Sequence, residues 1–119
     1  MDSPNAQPAT MALAESDRRF HRRYTVQVQI ELRQEGSDVP LRLATTDLSR
    51  GGCYIELMMP LSIGTHDQAT LWLDGHPIVI QGRVATCHSQ YGNGMMFEKF
   101  EGQAEQLLHQ YLDGIVTTT

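Results

Sequence analysis

Six times between Tyr24 and Phe97 the chain runs through a short stretch of strand-like pattern and then breaks at glycine, proline or aspartate, and few folds accommodate that repetition. Residues 24–33 (YTVQVQIELR) set Val26, Val28, Ile30 and Leu32 on one face and Gln27, Gln29, Glu31 and Arg33 on the other, the period of a half-buried strand. Residues 34–40 (QEGSDVP) supply a turn. Leu41, Leu43 and Thr45 then alternate with Arg42, Ala44 and Thr46, a second strand that delivers residues 47–52 (DLSRGG) as a loop. Residues 53–57 (CYIEL) read as a third strand, and residues 69–73 and 77–86 as a hairpin about Asp74-Gly75, with Gly82 marking a bulge. Residues 91–97 (YGNGMMF) make the last strand. The period then changes, because Ala104, Leu107, Leu108, Tyr111 and Leu112 keep helical spacing over residues 102–113 until Gly114 stops it. Six short strands and one terminal helix predict a mainly β fold, a closed or nearly closed antiparallel barrel with the helix packed on it.

The length, 119 residues, suits one core. Hydrophobic residues make up 40% of the chain, a globular composition, yet no apolar run approaches the ~20 residues of a membrane-spanning helix. Residues 1–16, with two prolines and little to anchor in a core, read as a flexible tail, and residues 115–119 as a fraying end. The tail has neither a positive start nor an apolar stretch, so the expected location is the cytoplasm, without membrane insertion. Cys53 and Cys87 are then expected as reduced thiols packed like small hydrophobes. His21, His66, His76, His88 and His109 are scattered singly, in none of the spacings that zinc sites use, and no nucleophile–base constellation stands out. The expectation is a binding protein with neither a metal site nor catalytic residues.

A formal net charge of −5 argues against an anionic partner only until its distribution is considered. Four of the nine basic residues, Arg18, Arg19, Arg22 and Arg23, fall within six positions at the junction of tail and first strand. Guanidinium forks pair bidentately with phosphate, stack on planar bases and read the O6/N7 edge of guanine. From Arg18 onward the chain carries 9 basic and 11 acidic residues, so the local balance is close to even. The second informative segment is Asp47-Leu48-Ser49-Arg50-Gly51-Gly52. Its Asp and Ser side chains can meet base edges or cap local backbone, and Gly51 and Gly52 allow close backbone approach. Each segment alone is also what a solvated basic patch or a simple Ser turn looks like.

Taken together, Arg-x-x-x-Arg followed by Asp-x-Ser-x-x-Gly resembles the signature of the PilZ domain, a bacterial receptor module for cyclic di-GMP. Asp47, Ser49 and Gly52 match the second motif at every defined position. The first motif fits Arg18 with Arg22 or Arg19 with Arg23, and the latter is favoured because Arg23 leads almost directly into the apolar strand at Val26. Gly82-Arg83-Val84 and the 91–97 segment resemble the family's late strands, so the likeness covers about residues 17–112. It implies a PilZ-type six-stranded barrel over residues 17–114 with a flexible N-terminal arm, and a ligand site for cyclic di-GMP at Arg18, Arg19, Arg22, Arg23, Asp47, Ser49, Gly51 and Gly52. The arginines would hold phosphates and bases, Asp47 and Ser49 guanine edges, and Gly52 would permit close approach. Arg18, ahead of the favoured first arginine, is the position that the family associates with an intercalated ligand dimer. A receptor or adaptor follows, working through a protein partner and not through DNA or RNA. Two other readings stay open: a PilZ-like interaction module that binds no nucleotide, and a small nucleic-acid-binding barrel.

Overall fold

The computed structural model describes residues 21–116. Arg18, Arg19 and Phe20, the 1–16 tail and the closing threonines lie outside the described residues. Six strands, β1 (Gln29–Gln34), β2 (Leu41–Leu48), β3 (Gly52–Glu56), β4 (His66–Leu73), β5 (His76–His88) and β6 (Gly92–Phe100), precede one helix, α1 (Ala104–Val116). The strands close into a barrel in the order β1-β2-β3-β6-β5-β4, with every described pair antiparallel. The expected barrel with a terminal helix is therefore the observed architecture.

The inward face follows from the alternation. Val28, Ile30, Leu32, Ile55, Ala69, Leu71, Ile80 and Val84 are buried, and each such Ile or Leu contributes about 1.5–3 kcal/mol over an exposed one. The β4–β5 turn has Asp74 at φ 52° and Gly75 at φ 84°, the double positive φ of a type I′ hairpin. Ala104, Leu108 and Leu112 of α1 join the core, whereas Leu107 turns to solvent, so the apolar stripe is narrower than its spacing suggests. The helix also runs on through Gly114, where the sequence predicts a stop. Ile115 packs against the core, and that burial outweighs the ~1 kcal/mol that a helical glycine costs.

The first strand begins later than predicted. Thr45 is fully buried, and its Oγ1 accepts from Val28 N (2.9 Å) and donates to Val26 O (2.8 Å). A side chain thus stands where ladder bonds would be, leaving Tyr24 in an isolated bridge to Leu48 ahead of β1. The predicted 47–52 loop is also shorter in the structure. Asp47 and Leu48 complete β2, Gly52 opens β3, and only residues 49–51 turn.

That end of β2 carries a bulge. Its register passes from Thr45↔Ile55 to Asp47↔Tyr54, leaving Thr46 as the extra residue. Strict alternation would turn Asp47 inward with Thr45. The bulge instead sends Asp47 to the outer surface and Leu48, 0% exposed, into the core. On β6, beyond β3 in the same wall, buried Asn93 clamps the β3–β4 connection. Its Oδ1 accepts from Leu61 N (2.7 Å) and its Nδ2 donates to Leu61 O (2.8 Å) and Thr86 O (3.1 Å).

One buried group is unmatched. Asp67 on β4 is 3% exposed, and neither carboxyl oxygen has a hydrogen-bond partner among the described residues. Burial pushes its carboxyl above 3.8, against a smaller opposing influence from His66. The folded chain therefore holds this proton more tightly than the unfolded chain. The associated stability is present below the ordinary carboxylate value and is lost as pH rises through the raised one. Asp67→Asn is expected to melt about 4–8 °C higher at pH 7, the equivalent of roughly 1 kcal/mol, and to flatten the melting profile above pH 4. Equal melting temperatures for the two proteins at pH 7 would refute this.

Candidate functional site

The residues singled out in the two motifs converge on the outer wall formed by β2, β3, β6 and the end of β5. A cavity of about 630 Å³ lies there, lined by His21, Arg22, Arg23, Asp47, Ser49, Gly51 and Gly52. Its size is within the range of small-molecule sites, about 300–1,000 Å³. Arg18 and Arg19 lie outside the described residues, so the described part of the site is built from the second half of the arginine cluster.

The two described arginines of the cluster each make a weak contact. The Arg23 guanidinium stands 3.9 Å from the Asp47 carboxylate, with the two side chains 64% and 27% exposed. Such a pair contributes about 0–1 kcal/mol. Arg22 lies over the Tyr24 ring, 5.6 Å from its centroid, another contact of about 0.5–1 kcal/mol when exposed. Both guanidinium groups can exchange these partners for a phosphate at little cost. Arg50, by contrast, turns away from the cavity and pairs with Asp113 of α1 at 3.0 Å, tying the motif loop to the helix.

Ser49 is buried and its hydroxyl serves the loop. Oγ accepts from Gly51 N (3.2 Å) and Gly52 N (3.1 Å) and donates to Gly52 O (3.2 Å), while Ser49 N donates to the same carbonyl at 2.8 Å. This Ser turn fixes the corner from which Asp47 and Gly52 depart. The two glycines differ. A Cβ on Gly52 would stand 2.1 Å from Met95 O, so the close approach glycine permits there is that of β6. A Cβ on Gly51 would meet only the His21 ring, at 2.9 Å from Cδ2.

Tyr54, Thr86, His88 and Gly94 also line the cavity, and the motif reading missed them. The available signal was alternation past Gly52, which turns Cys53 inward and Tyr54 outward. Tyr54 Oη is hydrogen-bonded to His88 Nδ1 at 3.0 Å. Burial, with Glu56, Cys87 and Asp47 adding to it, raises the Tyr54 phenol, which stays protonated. Beneath the cavity, burial and then the Asp47 carboxylate push the Cys53 thiol up to about 12, which leaves it an inert core group. Both cysteines are free, but Cys87 is exposed and does not pack as the small hydrophobe expected. Its strand runs on past Thr86 to His88, beyond the covered part of the barrel.

The arrangement offers two cationic forks and a carboxylate on an outer barrel wall, with polar backbone between. A family model, the PilZ domain, matches residues 17–114. The chain belongs to the PilZ family. The fold of this PilZ domain is similar to two solved structures. One is the PilZ domain of CeSA from a cellulose-synthesizing bacterium, with 20% identity and a TM-score of 0.64 over 79% of this chain and 97% of that one. The other is the Bacillus subtilis inhibitor of motility MotI/DgrA, with 14% identity and a TM-score of 0.70 over 83% of this chain and 51% of that one. No curated protein matches the chain. Among the described residues of this PilZ chain no helix is long and apolar enough to cross a membrane, and no group of three or more His, Cys, Asp or Glu is placed to hold a metal.

Proposed function

We propose that this PilZ chain is a receptor for cyclic di-GMP that acts as an adaptor, binding the nucleotide without turning it over and passing the signal to a protein partner. The observation that carries the reading is the convergence of Arg22, Arg23 and Asp47 on one cavity, although the segments bearing them are separate in sequence. A doubly negative dinucleotide gains charge-assisted hydrogen bonds from the arginines. The Asp47 carboxylate is an acceptor for the N–H edge of a guanine. Arg18 and Arg19 join the site through the family motif, and Ser49, Gly51 and Gly52 shape the corner beneath it. The 3.9 Å contact of Arg23 with Asp47 supports the Arg19/Arg23 register.

In this reading, ligand draws Arg22 and Arg23 away from Tyr24 and Asp47 and resets the segment that leads into the barrel, and the resulting surface is the signal. Calorimetric titration of the full chain with cyclic di-GMP tests it. Saturable binding at micromolar ligand or below is expected, with two ligands per chain if Arg18 supports an intercalated dimer. A ratio of one removes only the dimer. Absence of saturable heat sinks the receptor reading and leaves an interaction module that binds no nucleotide.

A further inference from the structure

Two glycines of β6 clear a lane across the barrel wall. Asn93 points inward, so Gly92 and Gly94 hold the outward positions between β3 and β5. Register pairs Tyr54 with Gly94 on one side and His88 with Gly92 on the other. With no side chain between them, Tyr54 and His88 meet across an intervening strand. Their ring centroids are 5.8 Å apart with planes tilted by 44°, and the 3.0 Å hydrogen bond between Oη and Nδ1 locks the pair. An ideal Cβ on Gly94 would already stand 3.8 Å from Tyr54 Cδ1 and 2.5 Å from Thr86 Oγ1.

The pair also has a fixed relation to the acidic group of the site. Asp47 and Tyr54 are direct cross-strand partners on the outer face, which places their Cβ atoms roughly 4.5–5.5 Å apart. A planar base whose edge meets the Asp47 carboxylate projects over the neighbouring aromatic surface. We infer that the Tyr54–His88 pair is a stacking platform for one base of the bound dinucleotide, making Tyr54 a specificity-determining residue of this site. The inference rests on the cyclic di-GMP reading and adds to it a hydrophobic contact outside both sequence motifs. Arginine contacts hold any phosphate-bearing anion, and only one that also carries a flat ring system gains from this surface.

Calorimetry with cyclic di-GMP on the wild-type chain, Tyr54→Ala, Tyr54→Phe and His88→Ala tests it, with melting temperatures measured alongside. Tyr54→Ala is expected to weaken binding at least about tenfold, Tyr54→Phe less than about threefold because the ring remains, and His88→Ala by an intermediate amount. In the wild-type chain, aromatic proton resonances of Tyr54 are expected to move upfield on saturation, a ring-current signature that holds even if a variant folds poorly. Wild-type binding with unchanged affinity in Tyr54→Ala, an equal loss in Tyr54→Phe, or no upfield movement overturns the platform and leaves the receptor reading intact. Absence of wild-type binding overturns the receptor reading itself, and the platform with it.

Discussion

Gly52→Ala is expected to lower the melting temperature by more than about 10 °C, the equivalent of roughly 2–3 kcal/mol in a domain of this size. The added methyl would lie 2.1 Å from Met95 O and 3.2 Å from the carbonyl carbon, both of them backbone. No rotamer change relieves that overlap. Strand β3 must separate from β6, taking with it the Phe97 N to Gly51 O bond of 2.9 Å and the first rungs of the ladder, Gly52↔Met96 and Cys53↔Met95. Gly51→Ala is the control, since its methyl meets only a histidine side chain, which can turn aside. Its effect is expected to stay within about 0.5–1 kcal/mol. Thermal melts of the two variants read the contrast, and a Gly52→Ala protein that melts within about 2 °C of wild type would show that β6 yields to the added methyl.

The second large effect falls on binding. Arg23→Ala and Asp47→Ala are each expected to weaken cyclic di-GMP binding roughly 10- to 100-fold, because each removes charge-assisted hydrogen bonds of about 1.5–3 kcal/mol. Stability should barely change, since the pair they form is long, exposed and contributes about 0–1 kcal/mol. Arg22→Ala is expected to have a smaller effect, as its guanidinium lies on Tyr24 in place of a carboxylate of the site. Titration of the three variants gives the order. If Arg22→Ala loses binding while Arg23→Ala retains it, the motif register is Arg18/Arg22, and the argument for a ligand dimer falls with it.

Much of the barrel was legible in residue order because period 2 is written plainly into Val26 to Leu32 and into the hairpin about Asp74-Gly75, where turn chemistry fixes the register. The ends of the elements were not. Ile115 carries the helix through a glycine that would stop an isolated helix, and Thr45 replaces ladder bonds that would have started β1 at Tyr24. The motif positions were legible from the local spacing of arginine, aspartate, serine and glycine. Tyr54 and His88 were invisible by the same means, since they become neighbours only when β3, β6 and β5 are laid side by side. Ser49 was legible as a residue and ambiguous as a role. The hydroxyl pattern of a turn and of a base-reading group is the same until its partners are known.

The bulge at Thr46 acts as a phase shifter between two codes carried on one strand. Up to Thr45 the odd positions face the core, and after it the even one, Leu48, does. One surplus residue thus divides β2 into a length that answers to packing and a length that answers to solvent. Pairing Thr46 into a regular ladder, with no bulge to absorb it, would restore a single uninterrupted phase, drive a carboxylate into the barrel and expel a leucine. The cavity would lose its Asp47 carboxylate and the core its Leu48 side chain in the same step, so that the surplus residue joins the proposed site to the fold.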